Sequence, residues 1–397
     1  GGEKGEEALG GEDDTGGGWG GDDLEGLEGL EGGGGGDGWG IDMDDLDLPS
    51  ASPGQRSSAN VGGGFFAPPT MGTSATLRWQ QASSVPGEHV AAGSFNQAME
   101  LLNRQAGVVS FAPLKPIFLS VYMGAQAVVS GTPGAPFIDS AMHRNNDNYS
   151  WSARGTDGLP AVCVSVAALT DRIKSGYKAF TEGKLKEAGE IFIATLQSVT
   201  VACVDSKSDL DELREHMSVC REYITAVLLE STRREKFKED PTRNMELAAY
   251  LTHCNLQPLH LLISLRSAMS SAVKVKNFNT AASFCRRLME LNPKAEHKEQ
   301  ALKVLKVCDT NRTNEIDLTY DERNPFVVCT KSFKPIYRGQ PMCRCGFCGG
   351  TFATDYKGQL CAICQVGEIG LKGSGLINSR QQRGKAAQTA DDFDMDE

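Results

Sequence analysis

Two Cys-x2-Cys pairs near the end of the chain, Cys345-Gly-Phe-Cys348 and Cys361-Ala-Ile-Cys364, restrict its folding more than any other feature. A two-residue gap lets both sulfurs of a pair reach one ion, and two pairs supply the four ligands of a tetrahedral zinc site. Gly346 and Gly349 follow the first two cysteines, where the backbone must turn tightly around a metal without a Cβ in the way. Between the pairs, residues 351–354 read as a strand, residues 355–358 as a turn closed by glycine, and Gln359-Leu360 as the lead into the second knuckle. The segment from Asn324 onward therefore reads as a zinc ribbon with Cys345, Cys348, Cys361 and Cys364 as ligands, and Cys343 as a fifth thiol within reach. Four sulfurs close the coordination sphere, so such a site holds a fold and catalyses nothing. Its binding energy, on the order of 10 kcal/mol in small zinc modules, takes the place of the core that a short segment cannot build.

The other cysteines point the same way. Twelve occur in all, and Cys163, Cys203, Cys220, Cys254, Cys285 and Cys308 are scattered, mostly within helical patterns. Reduced cysteine behaves like this in a cytosolic core, as a small hydrophobe. The net charge of −11 is unevenly placed: residues 1–60 carry sixteen Asp and Glu against Lys4 and Arg56, and the rest of the chain is slightly basic. That stretch is also glycine-rich, with Gly32–Gly36 unbroken. It buries too little apolar surface to offset the entropy of ordering, so residues 1–84 are expected to be a disordered acidic arm rich in Gly, Ser and Pro. No apolar run of eighteen residues occurs, which argues against a spanning helix, and no charged-then-apolar leader marks secretion. The chain does not begin with Met and is read as part of something longer.

From His89 the apolar residues take up helical spacing. Phe95, Ala98, Met99, Leu101 and Leu102 share a face until Gly107 stops it. Residues 124–160 carry glycines, Pro133, Pro136 and several asparagines, and the region around 108–160 is expected to be an extended, partner-contacting arm. Residues 165–308 form the strongest helical stretch. Leu169, Ile173, Tyr177 and Phe180 line one helix, Gly183 breaks it, and Ala188, Ile191, Phe192 and Leu196 line the next. Ser208 to Asp211 resembles an N-cap, Pro258 suits a first helical turn, and Asn292-Pro293 ends another helix. The fold class expected is mainly α: antiparallel, solenoid-like helix pairs over 85–320, a small β-rich zinc-ribbon cap over 321–371, and a disordered tail over 372–397.

Catalytic patterns are missing. No phosphate loop, nucleophile elbow or paired histidine motif occurs, and His253 and His260, which bracket the Asn255–Pro258 turn, read as capping or core residues. The chain is not expected to be an enzyme. From Asn324 to Leu371 there are five Lys or Arg against Asp355 and Glu368. That falls short of the basic stripe a phosphate backbone calls for, so no nucleic acid is expected as a partner. A zinc-ribbon helical adaptor, or a nucleic-acid-associated accessory subunit, is the alternative class.

Several stretches resemble one family closely. They are His89-Val-Ala-Ala-Gly-Ser-Phe-Asn-Gln-Ala-Met99, Val219-Cys-Arg-Glu-Tyr-Ile224, Ala248-Ala-Tyr-Leu-Thr-His-Cys-Asn-Leu-Gln-Pro-Leu-His260, the run from Lys276 to Leu291, Asn324-Pro-Phe and Pro335-Ile-Tyr-Arg-Gly339. In order, over about 85–371, they are similar to the C-terminal region of the coatomer (COPI) alpha subunit. The resemblance implies a non-enzymatic scaffold of the vesicle coat that binds the coatomer epsilon subunit and other coatomer subunits. In that family an extended arm is clasped by the helical repeats of the epsilon subunit. The arm is placed here at residues 108–140, with Phe111, Phe118 and Tyr122 as candidate contacts. The resemblance further implies a cytoplasmic protein, peripheral on Golgi membranes and COPI vesicles through the coat, in Golgi-to-ER and intra-Golgi transport. The complete cysteine quartet resembles a feature of some members only, so zinc is implied as structural support. The propellers that recognise dilysine cargo in the family lie outside this chain.

Overall fold

The computed structural model describes residues 77, 80–81, 83–129, 138–142, 164–380 and 382. The expectation of a disordered arm over 1–84 falls almost wholly outside these residues, as do 143–163 and the tail beyond 382.

Ten α-helices occur among the described residues, with three pairs of short antiparallel strands. Helix α1 (Pro86–Ala91) opens with proline at its first turn, and α2 (Phe95–Ala106) ends at Gly107, whose φ of 64° closes the helix in the left-handed region. A 3-10 turn (Ala112–Leu114) leads into α3 (Lys115–Gly124). A hairpin follows, β1 (Gln126–Val129) against β2 (Ile138–Ala141), in register from Gln126 opposite Ala141 to Val129 opposite Ile138. The expected extended arm is thus corrected over residues 112–124. Apolar residues at three- and four-residue spacing bury Phe118 and Val121 against the body, and that periodicity favours helix.

The main stack runs α4 (Val166–Thr181), α5 (Leu185–Ser198), α6 (Lys207–Lys236), α7 (Pro241–Leu251), α8 (Pro258–Lys274), α9 (Phe278–Glu290) and α10 (Ala295–Thr310). Each helix packs chiefly on its neighbours in sequence, and the short connections keep successive helices side by side. Ser165, Ser206 and Asp240 cap α4, α6 and α7 by accepting backbone N–H groups. The cap of α6 is Ser206, which accepts from Asp209 N, and not Ser208 as its spacing suggested. Each serine has an aspartate three positions on, Asp209 or Asp211, and the extended backbone at Ser206 aims its hydroxyl at the helix end. Pro258 and the boundaries at Lys276 and Asn292 fall where expected.

After α10 come β3 (Phe326–Val328) paired with β4 (Pro335–Tyr337), and β5 (Met342–Arg344) paired with β6 (Thr351–Ala353). These strands do not enclose a core of their own. Cys345, Phe347, Phe352, Val366 and Ile369 belong to the same apolar cluster as Leu102, Val108, Phe192 and Tyr223. The far helices form a second cluster, with Met245, Ala268, Phe284 and Cys308. Residues beyond 371 were expected to be free tail, but 372–380 are ordered against the body. The Asn378 amide donates to the Val199 and Ala202 carbonyls at 2.9 and 2.8 Å, Val204 N donates to Asn378 O, and Arg380 pairs with the buried Glu88 at 3.0 Å. Backbone groups of the α2 end and of the turn after α5 thereby gain partners that a local reading could not anticipate.

Candidate metal centre

Two knuckles, one forming the turn of the β5–β6 hairpin and one following it, place the cysteine pairs face to face. In the first knuckle Cys345 N donates to Gly350 O, and Gly349 N returns to Cys345 O, both at 3.0 Å. In the second, Cys361 N donates to Gly367 O at 2.9 Å, and Gln365 N returns to Cys361 O at 3.1 Å. The fourth residue after each leading cysteine has positive φ: 69° at Gly349, where glycine is at ease, and 61° at Gln365, where a side chain is not. The knuckles are similar turns, the second closing one residue later than the first. Strand pairing of Cys345 with Ile369 and of Leu360 with Glu368 closes them on each other.

All four sulfurs are buried and lie within 4.8 Å of one another. Cys345 Sγ is 3.7 Å from Cys364 Sγ, and Cys348 Sγ is 3.5 Å from Cys361 Sγ. A zinc–sulfur bond of about 2.3 Å gives a tetrahedron edge of about 3.8 Å, so the donors fit an ion of that size. A disulfide needs about 2.05 Å, which these separations exclude. Gly367 N donates to Cys364 Sγ at 3.4 Å, a contact that favours thiolate. Hydrogen bonds from Cys348, then Cys361 and Cys364, hold the Cys345 thiol far below the usual range, while the same partnership with Cys345 pushes Cys348 and Cys361 up. Thiolates this close repel one another, and a divalent cation among them would offset that repulsion. Cys343 is excluded from the group: it lies on β5 opposite Phe352, half-buried.

Of the two histidines expected as capping or core residues, His260 is buried and His253 is exposed. His260 Nδ1 meets Tyr223 Oη at 2.6 Å and its Nε2 meets Thr181 Oγ1 at 2.8 Å, and burial pushes its pKa down to about 3. His253 lies 2.8 Å from Tyr320 Oη at the surface, and desolvation by packing, with the nearby Arg287, lowers its pKa. His260 is thus a neutral structural group near pH 7.

The arm residues separate. Phe118 is buried at 7% exposure and stacks on Phe95 at 6.2 Å, so it is core and not a free contact. Phe111 is half-buried against the same cluster. Tyr122 reaches the surface, edge-on to Phe95 at 5.7 Å. Beside it Leu119 and Met123, the latter 71% exposed, were missed by sequence reasoning. Their spacing from Tyr122 and from each other was the available signal, since residues three and four apart share a helix face.

A stack of helices braced by a small ribbon with four clustered thiols defines a helical structural module. The family model for the C-terminus of the coatomer (COPI) alpha subunit matches residues 2–383, and the chain belongs to that family. It is 39% identical over 346 residues to "Coatomer subunit alpha-1" of Oryza sativa subsp. japonica, covering 87% of this chain and 28% of the relative. Against "Coatomer subunit alpha" of Dictyostelium discoideum the identity is 39% over 79% of this chain and 25% of the relative. Against that of Saccharomyces cerevisiae it is 28% over 85% of this chain and 27% of the relative. The chain thus spans about a quarter of the length of the relatives it matches. Among the described residues no helix is long and apolar enough to cross a membrane.

Proposed function

We propose that this chain is the C-terminal scaffold region of a COPI coat subunit, without catalytic activity, that binds the coatomer epsilon subunit and other coatomer subunits. In this reading it works in the cytoplasm, peripheral on Golgi membranes and COPI vesicles, in Golgi-to-ER and intra-Golgi transport. The observation that carries the reading is the family relation along residues 2–383. Residues 85–320 serve as the helical body and 321–371 as the cap, held by a structural zinc on Cys345, Cys348, Cys361 and Cys364.

The arm that meets the epsilon subunit is α3 with its hairpin. The face of α3 that carries Leu119, Tyr122 and Met123 has no acidic residue and lies open, as an interface core requires. Phe111 contributes from the edge. Mixing the chain with purified coatomer epsilon subunit and measuring mass by size-exclusion chromatography with light scattering tests this directly. A stable one-to-one complex is expected, weakened by Met123→Asp together with Leu119→Asp. Separate elution at micromolar concentration would remove the epsilon assignment. Binding to mixed RNA or DNA is expected to be negligible at any salt concentration, and strong salt-dependent binding would favour a nucleic-acid-associated accessory role.

A further inference from the structure

We infer that the metal centre anchors the arm as well as the ribbon, so that metal occupancy sets the order of residues 107–124 and the presentation of the α3 face. The partner half of this inference rests on the proposed coat function; the anchoring half does not.

The link runs through the second knuckle. Val109 N and Ser110 N both donate to Val366 O, at 2.8 and 3.0 Å, and Glu368 N donates back to Gly107 O at 3.0 Å. Val108 pairs with Gly367 in this short antiparallel bridge, and Val108 and Val366 are fully buried. Gly367 is also in contact with the thiol group. A Cβ there would stand 2.8 Å from Cys345 Sγ and 3.5 Å from Cys364 Sγ, so the backbone that holds the arm lies directly on two ligand sulfurs. The first knuckle adds a second contact, because a Cβ at Gly346 would meet Leu371 O at 2.4 Å and Ala106 O at 3.2 Å. On the other side Gln197 Nε2 donates to Cys364 O at 3.0 Å, tying the same knuckle to α5.

These bonds have a mechanical consequence. Residues 107–110 make no helix of their own, and the bridge to 366–368 fixes the direction in which the 3-10 turn and α3 leave the body. Without the metal the four thiols lose the ion that holds 361–367 in its turn. The acceptor Val366 O and the donor Glu368 N are then no longer held in place, and local opening reaches the arm before it reaches the distant helices. Helices α9 and α10 lie outside this path, because their buried apolar residues belong to a separate cluster, whereas α7 and α8 also give Leu247, Tyr250 and Ile263 to the cluster that holds the ribbon.

Hydrogen exchange on the full chain tests the anchor, with zinc present, after removal by a strong chelator, and after zinc is restored. Chelation is expected to speed exchange at Val109, Ser110, Glu368 and residues 115–124 by at least about tenfold, to leave residues 268–285 unchanged, and to reverse with zinc. Faster exchange confined to 345–369 would overturn the inference. So would an equal acceleration in α9 and α10, since the metal would then act on the whole body. Val109→Pro removes one donor and leaves all four thiols; it is expected to retain one zinc per chain while residues 115–124 exchange faster. Wild-type protection there would overturn the link. Epsilon binding is read in parallel. The expected exchange pattern without epsilon binding would support the anchor and sink the partner assignment alone.

Discussion

Helices α7–α10 and the ribbon are of similar modest size, yet they are held together in different ways. The helices pair neighbour on neighbour and enclose Met245, Met269, Phe284 and Leu288 in a cluster of their own. The ribbon has strands of three residues and joins a cluster that belongs to helices far away in sequence. Short strands cannot bury a core, so the ribbon leans on the helical body and, in the proposed reading, on a metal held by its four thiols. Helices α9 and α10 bury their apolar residues in a cluster apart from it. The two regions meet through a polar latch, Arg243 donating to Phe333 O at 2.6 Å, and through apolar contacts of α7, with the Tyr250 ring edge-on to Phe326 at 5.6 Å.

The largest expected effect separates the two supports. Cys361→Ser removes one ligand, and zinc content by elemental mass spectrometry is expected to fall from one ion per chain to none. A cost of several kcal/mol out of the order of 10 kcal/mol carried by such sites would unfold the ribbon. Retention of the zinc would show that Cys343 can replace a ligand and would weaken the contrast.

Phe284→Ala tests the other region. Phe284 is fully buried in the α7–α10 cluster, and truncating a buried phenylalanine costs about 3–5 kcal/mol. The midpoint of denaturant unfolding is expected to drop while the zinc content stays at one. If zinc is lost as well, the two regions are a single unit and the comparison fails.

Glu246 probes the connection between them. It accepts Thr319 N at 2.8 Å and Thr319 Oγ1 at 2.6 Å, and pairs with Arg243 at 2.6 Å. Burial by itself would raise this carboxyl, but the Thr319 bonds and the Arg243 guanidinium outweigh it and hold the pKa below its ordinary value. A lowered folded-state pKa contributes stability that is present above the unfolded value, about 4.3, and is lost as pH falls through the folded value. Glu246→Gln is therefore expected to cost about 1–3 kcal/mol at pH 7 and to flatten the loss of stability between pH 5 and 3. An unchanged acid limb in a pH series of denaturant melts would assign that limb elsewhere, for instance to Glu230. Burial also acts to raise Glu230, and Arg233 and Arg234 outweigh it.

The smallest effect concerns knuckle symmetry. Gln365 holds φ at 61° where its counterpart Gly349 is glycine, so Gln365→Gly relieves backbone strain and is expected to stabilise the ribbon by up to about 1 kcal/mol. A lower melting temperature would mean that the Gln365 side chain carries a contact outweighing the strain.

Much of this was legible in the residues. The quartet of Cys345, Cys348, Cys361 and Cys364 declared itself, because the spacing within a pair is a local property and the second pair repeats it. The helices from Leu169 to Cys308 were legible for the same reason, since periodicity and stop signals act within one or two turns. Phe118 was misjudged. Its sequence neighbours do not reveal that Phe95 and the body cover it, and the helix that turns it inward exposes Leu119 and Met123 instead. The order of residues 372–380 was equally hidden, since its partners Gln105, Val199 and Glu88 lie far away in sequence.

The sequence by itself determined the α character of the chain, the turns, the grouping of the four thiols and the family, all properties that short stretches encode through spacing and side-chain chemistry. Only the tertiary structure decided that the thiol ribbon and the arm meet at residues 107–110 and 366–368. Pairing between segments so distant in the chain is selected by the burial of Val108 and Val366 and by the need of free backbone groups for partners. Neither requirement leaves a mark on either segment alone.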